Sequence, residues 1–195
     1  SAEENSVFKA LEVAKLFLES GEVDAMLVGA VDLAAGFENF YLQSQRYGLD
    51  SSRIGEGAGA IVLKRQDKLL KDERVYANIE GLAGKRSALK DAATDALNQA
   101  GINKQQLDYI ELNNSGVESQ DKEEISALFE SYSNHSNNSN NHNSNNHSQT
   151  KIDPDQHIAL GSIKENIGHT FAASGMASLI KTSLCLYHRY IPGMA

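Results

Sequence analysis

The segment GSIKENIGHTFAASG, residues 161–175, contains two side chains that could take part in chemistry. Lys164 precedes His169 by five positions, and a run of small residues follows the histidine. A histidine can exchange a proton near neutral pH or donate a hydrogen bond to a developing charge. The glycine turn at Gly168 would hold it rigidly. Because a single histidine is more often structural than catalytic, its surroundings must decide between the two roles.

A second glycine-rich segment, IGEGAGAIVLKR at 54–65, does not fit a nucleotide-binding loop. It lacks the GK[ST] ending of a phosphate loop, and a predicted strand follows where that loop and the dinucleotide fingerprint both require a helix. We therefore expect no nucleotide, and no other cofactor. The glycines favour instead a close approach of the backbone to another strand or to a pocket.

Composition excludes several classes of protein. The chain has 195 residues and a formal net charge of -8, which disfavours nucleic acid or an anionic membrane as a partner. Its longest apolar runs have the length of strands and could not span a bilayer. Cys185 is the only cysteine, so no intrachain disulfide can form and a cytoplasmic compartment is expected. On the apolar side of a predicted helix, this thiol is interpreted as structural.

The elements that must position these residues alternate between strand and helix, which predicts an α/β fold. Apolar spacing and capping residues predict a helix before Gly21 and three further helices. The helices are predicted at 87–101, 119–132 and 171–189, and the buried strands at 23–31, 58–65, 75–83, 107–112 and 157–163.

Residues 133–150, SNHSNNSNNHNSNNHSQT, form a low-complexity tract. Without apolar residues to bury, the tract could not offset the entropy lost on ordering, so we expect a disordered surface insertion. His135, His142 and His147 raise the alternative of a metal site. No cysteine or carboxylate lies among them, so an expanded insertion without metal is the preferred interpretation.

Four sequence blocks, in order, resemble the β-ketoacyl synthase (ketosynthase) family, whose members have the thiolase fold. The blocks are LESGEVDAMLVGAV (18–31), GEGAGAIVLKR (55–65), IELNNSGVESQDKEEISAL (110–128) and GSIKENIGHTFAASGMASLIKTSLCLYHRYIP (161–192). The resemblance implies a layered thiolase-like α/β fold with a mixed sheet, present only in part. Residues 1–65 would be the end of the N-terminal half and 75–195 the C-terminal half, cut from a longer protein. It also implies acyl carrier protein and other synthase domains as partners, and a ketosynthase-type dimer.

Carried over residue by residue, the resemblance gives a damaged active site. His169 matches the second of two family histidines, and Lys164 matches the lysine of the same network. Glu4 falls where the family has its nucleophilic cysteine, and Asn113 falls where it has the first histidine. A carboxylate cannot form the thioester of the family's reaction, and an amide donates a hydrogen bond but exchanges no proton near neutral pH. Asp121 and Glu124 match the acidic pair that follows the first histidine.

The segment YGLDSSRI (47–54) is also shorter than the family loop that borders the acyl pocket. This pattern is similar to the degenerate, chain-length-factor-like ketosynthase region of bacterial polyunsaturated fatty acid synthases, plausibly in the subunit that carries an acyltransferase. Three functions remain open: a non-condensing structural domain, an active synthase-type acyltransferase whose nucleophile lies outside this chain, and an acyl-chain binding module. In each case we expect Glu4, Asn113, Lys164 and His169 to lie together.

Overall fold

The computed structural model describes residues 3–33, 36–47, 54–84, 89–132 and 158–193. Within these ranges the chain forms six α-helices and four strands that alternate for most of its length, which confirms the α/β class. In chain order they are α1 (Ser6–Ser20), β1 (Ala25–Asp32), α2 (Phe37–Tyr47), β2 (Gly57–Lys64), α3 (Leu89–Ala100), β3 (Tyr109–Glu111), α4 (Glu118–Tyr132), β4 (Ala159–Gly161), α5 (Lys164–Ile167) and α6 (Ser174–His188).

The strands β1 and β2 form an antiparallel pair in continuous register, from Ala25 opposite Lys64 to Asp32 opposite Gly57. One face of this pair packs on α1 and α6 because apolar residues recur at the spacing of a helix face. The buried cluster comprises Val7, Leu11, Ala14, Val28 and Met176. This packing fixes the start of α1 and the start of α6 against the same sheet, and both starts carry site residues.

The strands β3 and β4 form a parallel pair, with Tyr109 opposite Ala159 and Glu111 opposite Gly161. The helices α3 and α4 pack against each other beside the chain. The expected mixed sheet is thus represented, in the described ranges, by a separate antiparallel pair and a separate parallel pair.

The strand predicted at 75–83 is wrong, because this segment forms no strand in the structure. It runs along α3 instead. A Cβ atom on Gly81 would lie 2.2 Å from the carbonyl oxygen of Ala96. The backbone N–H of Leu82 donates to Oε1 of Gln99 at 3.3 Å. Contact with a helix has replaced pairing with a strand.

The other predicted elements form with shifted ends. The helix predicted at 171–189 begins as a 3-10 turn at Phe171–Ala173, continues as α6 and ends at Arg189, which has φ 51. The helix α1 ends at Gly21, whose φ of 75 and N–H bond to the Leu18 carbonyl match the expected cap. The helix α2 was not predicted from its aromatic residues.

Some sequence predictions lie outside the described residues. These are the tract 133–150 with its three histidines, most of the segment YGLDSSRI, and His157 at the start of the last predicted strand. Among the helices that are described, none has both the length and the apolar character needed to cross a membrane.

Close packing of backbones explains part of the glycine-rich segment. A Cβ atom on Gly55 would lie 2.0 Å from the carbonyl oxygen of Ile167, whereas one on Gly57 would meet only the side chain of Thr170, with Cγ2 nearest at 3.4 Å. We therefore expect Gly55→Ala to lower the free energy of unfolding by about 1–3 kcal/mol, since the backbones must separate. Gly57→Ala is the matched control and should stay within about 1 kcal/mol of wild type. Urea unfolding of the two variants checks this, and equal losses would contradict the packing argument.

Candidate functional site

The candidate site lies where the loops that follow β3 and β4 meet. Parallel neighbouring strands end at the same edge of their sheet, so the segments that leave them lie side by side. After β3 the chain continues into residues 112–117, called here the β3 loop, which contains Asn113. After β4 it enters α5, which begins at Lys164, and then reaches His169.

Lys164 is the centre of the site. Its side-chain amine donates to Oδ1 of Asn113 at 2.7 Å and lies 3.3 Å from Nε2 of His169. The residue is only 9% exposed. Burial lowers the pKa of Lys164, while the carboxylates of Glu4, Glu124 and Asp121 act in the opposite direction.

His169 is held in one tautomer by the backbone. The N–H of Phe171 donates to Nδ1 at 3.0 Å, so in the neutral ring the proton resides on Nε2. The Phe171 ring also stacks on the imidazole, with centroids 4.5 Å apart. The Nε2–H group therefore points toward Lys164 and Glu4 as a hydrogen-bond donor.

The imidazole is neutral at physiological pH. Burial, and next the positive charge of Lys164, lower the pKa of His169 to about 4. With 4% exposure the ring has little access to water that could solvate an imidazolium. His169 in this state can donate a hydrogen bond from Nε2 but cannot act as a proton donor in the manner of an imidazolium.

Glu4 approaches the histidine from the 3-10 turn that precedes α1. Its Oε1 lies 3.6 Å from Nε2 of His169. Since the imidazole is neutral, this contact is not an ion pair near neutral pH. The structure thus brings Glu4, Asn113, Lys164 and His169 together, as the sequence predicted, while their chemical roles stay predictions.

Two acidic residues of α4 shape the β3 loop. Asp121 accepts from the N–H and hydroxyl of Ser115 at 2.6 and 2.8 Å. Glu124 accepts from the backbone N–H groups of Asn113 and Asn114 at 2.6 and 3.0 Å. These carboxylates replace solvent for a turn of irregular backbone and fix the position of Asn113.

Sequence reasoning missed two groups near the site. Glu111 on β3 accepts from Lys181 of α6 at 2.8 Å and from the backbone N–H of Ile163 at 2.6 Å, so a buried ion pair ties α6 to the start of α5. Asn114 donates from Nδ2 to Glu165. A signal for the first was an acidic residue inside a strand predicted to be buried. Cys185 is half-buried on α6.

The buried imidazole makes stability depend on pH. The unfolded chain binds a proton at His169 near a pKa of about 6.5, and the folded chain only near about 4. Between these values the unfolded state binds more protons, so stability is full above the upper value and falls with acidification. His169→Gln should cost on the order of 1–3 kcal/mol at about pH 7 and should lose less stability than wild type on going to about pH 4.5. Urea unfolding at both pH values measures this, and parallel losses in the two proteins would contradict a buried neutral histidine.

Comparison with known proteins follows the same lines as the geometry. The chain is 32% identical over 203 residues to a polyunsaturated fatty acid synthase polypeptide of Thraustochytrium, covering 96% of this chain and 10% of that protein. A structure titled PfaC Keto synthase-Chain length factor is 34% identical with a TM-score of 0.74, covering 94% of this chain and 19% of the other. The ketosynthase from module 6 of the bacillaene synthase of Bacillus subtilis is 28% identical with a TM-score of 0.75, covering 95% and 35%.

This chain therefore spans only a small part of the length of these relatives. Residues 76–195 match the model for the C-terminal domain of beta-ketoacyl synthases. That match covers more than half of the chain, and it includes Asn113, Lys164 and His169. The chain belongs to the β-ketoacyl synthase family and carries part of its thiolase-like fold.

Proposed function

We propose that this chain is a non-condensing, chain-length-factor-like ketosynthase domain of a polyunsaturated fatty acid or polyketide synthase. The observation that carries the proposal is the closed contact of Lys164 with Asn113 and of His169 with Glu4. Condensation needs a nucleophile that accepts an acyl group and two groups that handle the carbonyl oxygens. Here a carboxylate stands in the first position and an amide in one of the others.

The carboxylate of Glu4 opposes acyl transfer in two ways. It cannot form a thioester, and its charge lies beside the Nε2–H group that would otherwise be available to an incoming carbonyl oxygen. A neutral histidine that faces a carboxylate has a stabilising partner without any substrate. This arrangement supports a structural role for His169.

Asn113 is committed in a similar way. Its Oδ1 accepts from Lys164 at 2.7 Å, so the lysine is satisfied inside the protein. An amide in this position cannot take up or release a proton near neutral pH. The lysine therefore supports the packing of two loops, and no proton path through Asn113 is available.

The parent system is inferred from the relatives. Their names include a polyunsaturated fatty acid synthase, polyketide synthases and a keto synthase-chain length factor. A domain of this kind would work beside an active ketosynthase, with acyl carrier protein and other synthase domains as partners. Its contribution would be to complete a ketosynthase-type dimer in the cytoplasm.

One observation favours a second candidate, an acyl-carbonyl binding module. Because Oδ1 of the exposed Asn113 faces Lys164, the donor Nδ2 occupies the other side of the carboxamide. That donor and Nε2–H of His169 could both serve a carbonyl oxygen. Binding would require Glu4 to move away from the histidine.

The proposed function predicts that no acyl group becomes attached to this domain. The intact synthase that contains it is incubated with radiolabelled acyl and malonyl thioesters, digested, and mapped by mass spectrometry. We expect no label on any peptide of this chain, whereas a cysteine-containing ketosynthase domain assayed as the control should retain it. An acyl group mapped to this chain would contradict the proposal. Non-covalent retention of the acyl thioester that is lost in Asn113→Ala would favour the binding module.

A further inference from the structure

We propose that Asn114 and Glu165 form a latch that holds the β3 loop against α5 and keeps the amine of Lys164 in contact with Asn113. Nδ2 of Asn114 donates to Oε1 of Glu165. The two residues are separated by 51 positions in the chain and join the same two segments as the pair below them.

The two cross-links form an inner and an outer rung. The inner rung is Asn113 with Lys164, and the outer rung is Asn114 with Glu165, so each partner of one rung adjoins a partner of the other. Lys164 is buried, whereas Glu165 is exposed. Water can thus compete for the outer rung, and the inner rung is reached only when the loop and the helix separate.

The backbone at Asn114 also favours a latch. Its φ of 43 lies in the left-handed region, which a residue other than glycine adopts at a cost and asparagine tolerates better than most. Glu124 holds its backbone N–H at 3.0 Å. In this conformation the side chain reaches across to α5, so the contacts to Glu124 and Glu165 together offset the cost.

The latch deepens the proposed function and rests on it in one respect, since it accounts for how a site without a nucleophile stays closed. Opening the latch would expose the one amine in the site. Acetylation of Lys164 by a small water-soluble reagent therefore measures the latch, independently of whether any acyl thioester reacts.

Four variants of the full 195-residue chain separate the possible causes. Glu165→Ala removes the acceptor, and Asn114→Gly removes the donor while easing the backbone. Glu165→Gln keeps an acceptor oxygen but removes the charge. Glu130→Ala is the matched control, because it removes another exposed carboxylate that joins two segments, by its contact with Lys90 at 3.2 Å.

The readout is the rate of acetylation at each lysine, followed by peptide mass spectrometry. Glu165→Ala and Asn114→Gly should raise the rate at Lys164 about fivefold, as expected for the loss of one hydrogen bond that opposes a local opening. Glu165→Gln and Glu130→Ala should remain at the wild-type rate. Lys181, buried and paired with Glu111, is the internal reference and should not change in any variant.

Three results would overturn the latch. The first is an unchanged rate at Lys164 in both Glu165→Ala and Asn114→Gly. In the second, Glu165→Gln reacts as fast as Glu165→Ala, which would assign the effect to charge. The third is a joint rise at Lys164 and Lys181, which would indicate general loosening. Each of these leaves the acyl-transfer experiment unaffected, so failure of the latch and failure of the proposed function are distinguishable.

Discussion

A single buried amine, that of Lys164, joins the segments that build the candidate site. It reaches Asn113 on the β3 loop and lies beside Nε2 of His169, and burial lowers its pKa. A buried amine without partners would be costly, so the loop that supplies Asn113 has to stay in place. The neutral state of His169 depends on the same group, because the positive charge of Lys164 adds to burial in lowering the histidine pKa.

The surrounding fold holds this amine in position through carboxylates. Glu111 joins β3, α6 and the backbone before α5, while Asp121 and Glu124 order the β3 loop. Buried ion pairs contribute little net stability but are expensive to break, so they restrict the chain to one arrangement. The site is therefore rigid for reasons that do not depend on catalysis, and a family member can keep its shape after losing its nucleophile.

The sequence predicted most elements because their signals are local. Apolar spacing marked α1, α3 and α6, and Gly21 marked a helix end. The segment 75–83 has the alternation of a strand, but the sequence carries no information about whether a partner strand lies beside it, and Gly81 packs on α3 instead. The meeting of Glu4, Asn113, Lys164 and His169 came from the family resemblance. The contacts of Asn114 with Glu165 and of Glu111 with Lys181 join residues distant in the chain, and no local pattern could reveal them.

The central claim is that His169 is a neutral hydrogen-bond donor enclosed by Lys164, Glu4 and the backbone of Phe171. Nitrogen NMR of the full chain, labelled with the heavy nitrogen isotope, observes the protonation of both ring nitrogens at about pH 7. The account predicts a neutral ring with the proton on Nε2 and none on Nδ1. An imidazolium, or a ring that carries its proton on Nδ1, would contradict it.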